Sequence, residues 1–343
     1  MSWKEAVLKR IKPTPGEEKK VRALVDKILA ASREVSGLEA ITCGSFGKGT
    51  WLAGDLDVDI FIKFPKETER AELEKKGLEF GKKIVAKLGG KWRIKYAEHP
   101  YVHAIVEGFD VDVVPCYSIL PGEHIKSAVD RSPLHLAHVN QNLKPKLFDE
   151  VRLLKQFMKG SGVYGSDTKT QGFAGYIAEL LVMKFGSFEA VVKEAAAWKA
   201  GTAMTVDGSP GKKFPAPLTI IDPVDANRNV AAAVNAENFA RFVHSCKSFL
   251  QKPSDSYFSR EEAPLSAAET KTLQQRDTQW LAVVMKRPDV IDDVLWPQLR
   301  RARGRLVQML ADEEFHSIRA LEWAGDEAGS DILLLLELEV WSL

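Results

Sequence analysis

Cysteine is scarce in this chain: Cys43, Cys116 and Cys246 are its only three among 343 residues. They form no CxxC pair and have no histidine at metal-ligand spacing, which excludes a disulfide framework and a zinc finger. An odd, sparse set fits reduced thiols in a cytoplasmic protein. An excess of charge is missing too. Forty-eight Lys+Arg offset 47 Asp+Glu, for a net charge of +1, so any surface for a polyanion must come from local clustering. No uncharged run approaches the ~18 residues of a membrane span. Met1-Ser2-Trp3-Lys4-Glu5 lacks the apolar stretch of a signal peptide. No membrane partner is expected. The remaining composition, 45% hydrophobic and 28% charged, is ordinary for a globular chain, and the length suggests two or three domains.

Several elements are legible in the order of residues. Thr14-Pro15 with Glu17 and Glu18 reads as a helix start, followed by Val21, Leu24, Val25, Ile28 and Leu29 at helical spacing. A strand-like run from Leu38 to Cys43 leads into the loop Gly44-Ser45-Phe46-Gly47-Lys48-Gly49-Thr50. Leu56-Asp57-Val58-Asp59-Ile60-Phe61 then alternates with period two. A charged helix is expected over about 66–88, and strands at Trp92–Ala97 and His103–Tyr117. From Asp149 the pattern turns helical, with Val151, Leu154, Phe157 and Met158 on one face. Further helices are expected at Phe173–Phe185, Phe188–Lys199 and Glu237–Leu250, and a polar loop at Gly201–Lys213. Lys252–Pro264, rich in Ser, Pro and Asp, reads as a linker. Beyond it come a strand at Trp280–Lys286, a basic helix at Gln298–Leu310, and strands at His316–Trp323 and Ile332–Trp341.

The chemistry concentrates at Asp57 and Asp59. In an extended segment residues i and i+2 share a face, so the two carboxylates stand side by side while Leu56, Val58 and Ile60 turn inward. Like charges held together repel unless a cation neutralises them. Hard divalent ions take such oxygen ligands together with substrate phosphates. The same pattern recurs in Phe109-Asp110-Val111-Asp112-Val113-Val114. If the two strands are neighbours, a third carboxylate reaches the site, and three carboxylates can hold two metals. Spacing alone does not choose between Asp110 and Asp112. The loop that precedes Asp57 carries three glycines, which let backbone N–H groups approach a triphosphate. Ser45 can donate to a phosphate oxygen, and Lys48 adds charge.

Gly44-Ser45, Asp57-Val58-Asp59 and a later Asp on a neighbouring strand resemble the DNA polymerase β-like nucleotidyltransferase superfamily. Further segments narrow the resemblance to the archaeal (class I) CCA-adding enzymes. They are Tyr96–His103, Val111–Tyr117, Ile125–Arg131, Glu150–Lys155, Gly162–Gly165, Asp222–Asp225, Arg228–Ala231 and Pro297–Ala302. The resemblance runs in order from about residue 40 to 305. It implies an α+β fold: a nucleotidyltransferase head with a mixed sheet flanked by helices over 1–148, a helical central domain over 149–252, and a small, shortened α/β domain over 265–343.

The implied activity is addition of CMP and AMP, from CTP and ATP, to the 3′ end of tRNA. Transfer is in line, releases pyrophosphate, needs no nucleic-acid template, and uses two Mg²⁺ ions. On this resemblance Asp57, Asp59 and Asp112 are the catalytic, metal-binding carboxylates. Gly44, Ser45 and Lys48 hold the triphosphate, His135 contacts the nucleotide's sugar-phosphate, and Lys155 and Tyr164 contact the triphosphate and ribose. Arg228 would read the base edge. Arg152, Lys155 and Lys159 share one helical face, read as basic and lying beside the phosphates. Arg300 and Arg301, with Arg303 and Arg305, make a patch suited to RNA phosphates. Two departures stand out: Gln171 replaces a commonly basic residue, and the chain ends at Leu343, earlier than the family usually does. A homodimer is left open. The glycine loop also resembles that of oligoadenylate synthases, so a nucleotide second-messenger synthase or another RNA-tailing enzyme is the alternative.

Overall fold

Two capping boxes set the first helices: Ser2 with Glu5 starts α1 (Trp3–Ile11), and Thr14 with Glu17 starts α2 (Pro15–Ser36). The computed structural model describes residues 2–96, 98–208, 212–260 and 264–339. The chain divides into two compact units, Met1–Gly165 with Gly172–Arg260, and Ser166–Gln171 with Glu261–Leu343. Among the described residues no helix is long and apolar enough to cross a membrane.

In the first unit β1 (Glu39–Thr42), the one-turn helix α3 (Gly44–Gly47), β2 (Asp57–Phe64) and α4 (Arg70–Lys87) follow α2. Then come β3 (Lys91–Tyr96), β4 (Pro100–Val106) and β5 (Phe109–Tyr117). The five strands form one mixed sheet in the order β1-β2-β5-β4-β3. Only β2 and β5 pair in parallel, and their register sets Asp57 beside Asp110 and Asp59 beside Asp112. Alternation then sorts the faces. Val58, Ile60, Ile62, Val102, Ala104, Val111 and Val113 are buried in a core shared with residues of α2 and α4, each valine and isoleucine contributing about 1.5–3 kcal/mol by leaving water. The other face carries the carboxylates at one end. At its far end Phe61, Val114 and Cys116 form a small second core.

The helical part of this unit contains α5 (Arg131–Asn142), α6 (Phe148–Gly160), α7 (Gly175–Phe185), α8 (Phe188–Ala195) and, after a small sheet, α9 (Ala236–Gln251). The small sheet has the order β6-β7-β8, from β6 (Thr202–Met204), β7 (Leu218–Asp222) and β8 (Asp225–Asn229). An aromatic cluster of Phe157, Phe173, Phe188, Phe242, Phe249 and Phe258 fills its core. Val7 and Ile11 of α1 pack into this same core, although they precede the head sheet in sequence.

The second unit holds α10 (Ala267–Gln274), β9 (Gln279–Lys286), α11 (Asp292–Asp312), β10 (Ser317–Ala324) and β11 (Asp331–Leu338). Its sheet is antiparallel, in the order β10-β11-β9. Leu295, Trp296 and Leu299 of α11 form its buried core with Ala324 and Ile332.

Several expectations are corrected. The run read as one strand, His103–Tyr117, is a hairpin folded at Glu107 and Gly108, both with positive φ. The loop at 44–50 contains the turn α3. The linker read at 252–264 includes a 3₁₀ turn, Asp255–Phe258, whose Phe258 is 2% exposed. The basic helix begins six residues before Gln298, with Pro297 inside it. Ala97, residues 209–211 of the polar loop, residues 261–263 of the linker and the end of the last strand, 340–343, lie outside the described residues.

Candidate active site

Gly44 opens the site. Its φ of 61° is left-handed, and a Cβ built there would collide with the Asp59 carboxylate. The Cys43 N–H donates to the Asp59 carbonyl at 2.8 Å, which ties the glycine turn to β2. Gly44, Ser45 and Lys48 line a cavity of about 530 Å³ together with Asp57, Asp59, Asp110 and Asp112.

The carboxylates interact through their register. Burial and the Asp112 and Asp57 charges push Asp59 up to about 6, from an ordinary 3.8. Burial, with the Asp110, Asp55 and Asp112 charges, also raises Asp57. His103 on β4 faces the two carboxylates of β5: its Nδ1 lies 2.6 Å from Asp112 Oδ1 and its Nε2 3.3 Å from Asp110 Oδ1. Among the described residues no three His, Cys, Asp or Glu side chains are already arranged as a metal cage. The donor set nonetheless fits a hard divalent cation. Asp57, Asp59 and Asp112 are oxygen donors on one cavity wall, and burial together with neighbouring carboxylate charge makes Asp57 and Asp59 reluctant to ionise.

Behind the turn lies a buried charge cluster. Glu179 on α7, 1% exposed, accepts from Lys48 Nζ at 2.8 Å, Thr50 Oγ1 at 2.6 Å and Lys155 Nζ at 3.1 Å. Burial alone would raise Glu179, but the charges of Lys48 and Lys155 hold it down to about 2. Burial pushes the Lys155 ammonium down, opposed by Glu179. Arg152 donates to the Trp51 and Gly49 carbonyls at 2.9 and 2.8 Å and to Asp149 at 2.7 Å. The face read as basic and beside the phosphates is interior at Arg152 and Lys155, which are 5% and 1% exposed. Lys159 pairs with Asp55 at 2.9 Å. Tyr164 reaches the cavity wall, where Gly175 leaves room for its hydroxyl.

His135 and Arg228 do not line that cavity. Both donate to Asp222, which is 1% exposed, from His135 Nε2 at 2.8 Å and an Arg228 guanidinium nitrogen at 2.7 Å. Burial lowers the His135 imidazole despite Asp222. Tyr176 links this cluster to the cavity, stacking on His135 at 3.9 Å and lining the wall beside Lys48. In the second unit Arg300 is engaged internally, donating to the Thr168 and Lys169 carbonyls and pairing with Glu322 at 3.2 Å. Arg301 is exposed. The backbone at Gln171 is left-handed, with φ of 51°.

Sequence reasoning missed His103, Glu179, Asp222 and Tyr176 as site residues. Glu179 alone left a signal, a lone acid within the apolar helix Tyr176–Met183.

Three family descriptions match the chain: "Nucleotidyltransferase domain" over 25–135, "tRNA nucleotidyltransferase, second domain" over 149–259, and "CCA-adding enzyme, C-terminal domain" over 276–343. The CCA-adding enzyme of Methanothermobacter thermautotrophicus is 42% identical over 98% of this chain and 75% of its own length. Those of Methanosarcina acetivorans and Archaeoglobus fulgidus are each 40% identical, over 98% and 94% of this chain and 74% and 73% of their own. Among solved structures, the Cid1 poly(U) polymerase with Mg and 3′-dATP superposes with a TM-score of 0.61 at 15% identity, over 75% of this chain and 98% of its own. E. coli CdnC with ATP gives 0.55 at 17%, over 74% and 93%. At such identities these two share the fold.

Proposed function

Because this chain belongs to the family of CCA-adding enzymes, we infer that it is a tRNA nucleotidyltransferase whose chemistry runs in the carboxylate cleft. It adds CMP and AMP from CTP and ATP to the tRNA 3′ end. The RNA 3′-oxygen bonds to the α-phosphorus, the α–β phosphoanhydride breaks, and pyrophosphate leaves.

In this reading Asp57, Asp59 and Asp112 would hold divalent cations, two Mg²⁺ ions. Bound there, the ions supply Lewis-acid neutralisation of phosphate charge. The remaining work falls to the chain. The Gly44–Thr50 turn binds the triphosphate through Ser45 and backbone N–H groups, with Lys48 and Lys155 providing charge from the Glu179 cluster. His103 keeps the Asp112 carboxylate oriented. Tyr164 meets the ribose. Asp222 steadies His135 and Arg228, and Arg228, whose side chain is 35% exposed, turns its remaining N–H donors to the base edge. Most of the acceleration comes from positioning and charge neutralisation.

The observation that carries the reading is the parallel register that puts Asp59 beside Asp112, directly against a turn whose Gly44 leaves no room for a side chain. The test is incubation with labelled CTP and ATP, with and without tRNA ending before its CCA. Growth of the tRNA by C and A is expected. Short oligonucleotides formed without RNA would overturn it.

A further inference from the structure

Edge strand β3 carries two cations that the mechanism above leaves without a task. Arg93 and Lys95 stand two residues apart and so share one face of the strand. Strand pairing says which face. Arg93 lies opposite His103, His103 opposite Asp112, and Asp112 beside Asp59. These four side chains form one row across the sheet on the carboxylate face, with Lys95 in the adjacent row opposite Tyr101. Both cations line the same cavity as the carboxylates. Among the described residues neither side chain makes a hydrogen bond or an ion pair. Lys48 and Lys155, at the other end, are both tied to Glu179.

The cavity therefore has two basic ends with acids between them. Strand order places the glycine turn and Lys48 on the β1 side and the free cations beyond β4. Adjacent strands are ~4.8 Å apart, so the Arg93 backbone lies roughly 10 Å from that of Asp112 and roughly 14 Å from that of Asp59. In-line displacement requires attacking and leaving oxygens on opposite sides of the α-phosphorus. With pyrophosphate departing toward the glycine turn, the 3′-hydroxyl must arrive from the β4–β3 side. The strand behind it then passes over β3.

We propose that Arg93 and Lys95 bind the 3′-terminal phosphodiester groups of the acceptor RNA strand and so deliver its 3′-hydroxyl to the carboxylates. The proposal rests on the nucleotidyl-transfer reading. A guanidinium and an ammonium on phosphate oxygens fix register without reading bases, so their effect is the same whatever the acceptor's terminal sequence.

The test uses full-length Arg93→Gln, Lys95→Gln and the double variant. The acceptor is a fluorescent tRNA minihelix ending before CCA. Each single variant should bind it about fivefold more weakly, and the double variant on the order of twentyfold. The slope of log affinity against log salt should fall by about 0.7 per residue removed. Melting temperature and CTP affinity should not change. Methylphosphonates at the terminal linkages should weaken wild-type binding by the same factor and add nothing in the double variant. Unchanged acceptor affinity, or a loss of CTP affinity in its place, would overturn the assignment. A wild-type enzyme that extends no RNA would remove the transfer reading itself, and the assignment with it, before any variant is compared.

Discussion

Replacing Asp59 by asparagine should stabilise the metal-free protein while abolishing its activity. Asp59 sits half-buried among Asp57 and Asp112, and its carboxyl is pushed from 3.8 up to about 6. The folded protein thus keeps this proton to a higher pH than the unfolded chain does. Folding takes up a proton in that window, so stability falls as pH rises from about 4 to about 6 and stays reduced above it. The full rise corresponds to about 3 kcal/mol. Solvent screening of a partly exposed carboxylate reduces the expected loss to about 1–3 kcal/mol. Asparagine keeps the shape and removes the charge. In EDTA at pH 7.5 the variant should melt about 2–8 °C above wild type, and the gap should shrink as the buffer is taken toward pH 4. Adding Mg²⁺ at pH 7.5 should raise the wild-type midpoint more than the variant's. A variant that melts at or below wild type in EDTA, or a gap that ignores pH, would refute the claim that burial and the neighbouring carboxylates penalise ionised Asp59.

Gly44→Ala should lower single-turnover CMP transfer by about 100-fold or more, since the methyl must displace the Asp59 carboxylate and adopt a left-handed φ; minihelix binding should persist. His103→Asn keeps one donor but cannot face both Asp110 and Asp112. The Mg²⁺ concentration for half-maximal activity should rise about 10- to 100-fold, with CTP affinity little changed. Glu179→Gln leaves Lys48 and Lys155 facing each other without their shared anion. A loss of about 3–5 kcal/mol should appear in urea melts at pH 7. Glu179 is held down to about 2, so its contribution is present above pH 4.5 and lost as pH falls toward 2. The two proteins should converge in acid.

What could be read from the sequence, and what could not, follows from the range of each physical signal. Period-two alternation is local, so it places Asp57 and Asp59 on one face and Asp110 and Asp112 on another strand's matching face. It cannot choose between Asp110 and Asp112, because in the parallel register both stand beside a partner acid, Asp57 and Asp59 respectively. His103 contacts both and leaves the ambiguity in the structure too. The turn at Glu107-Gly108 was hidden because residues on either side of it favour strands. Helical spacing showed that Arg152 and Lys155 share a face, but the cover over that face comes from Trp51, Thr50 and Glu179, remote in sequence. Asp222 is likewise invisible as a hub, since its donors come from α5 and β8. The same limit explains Arg93 and Lys95. Alternation puts them together, but only the order of strands makes Arg93 the continuation of the Asp59–Asp112–His103 row, with Lys95 in the row beside it. Residues paired across strands take their chemistry from neighbours that sequence spacing never sees, so a cation's role here is decided by which row of the sheet it joins.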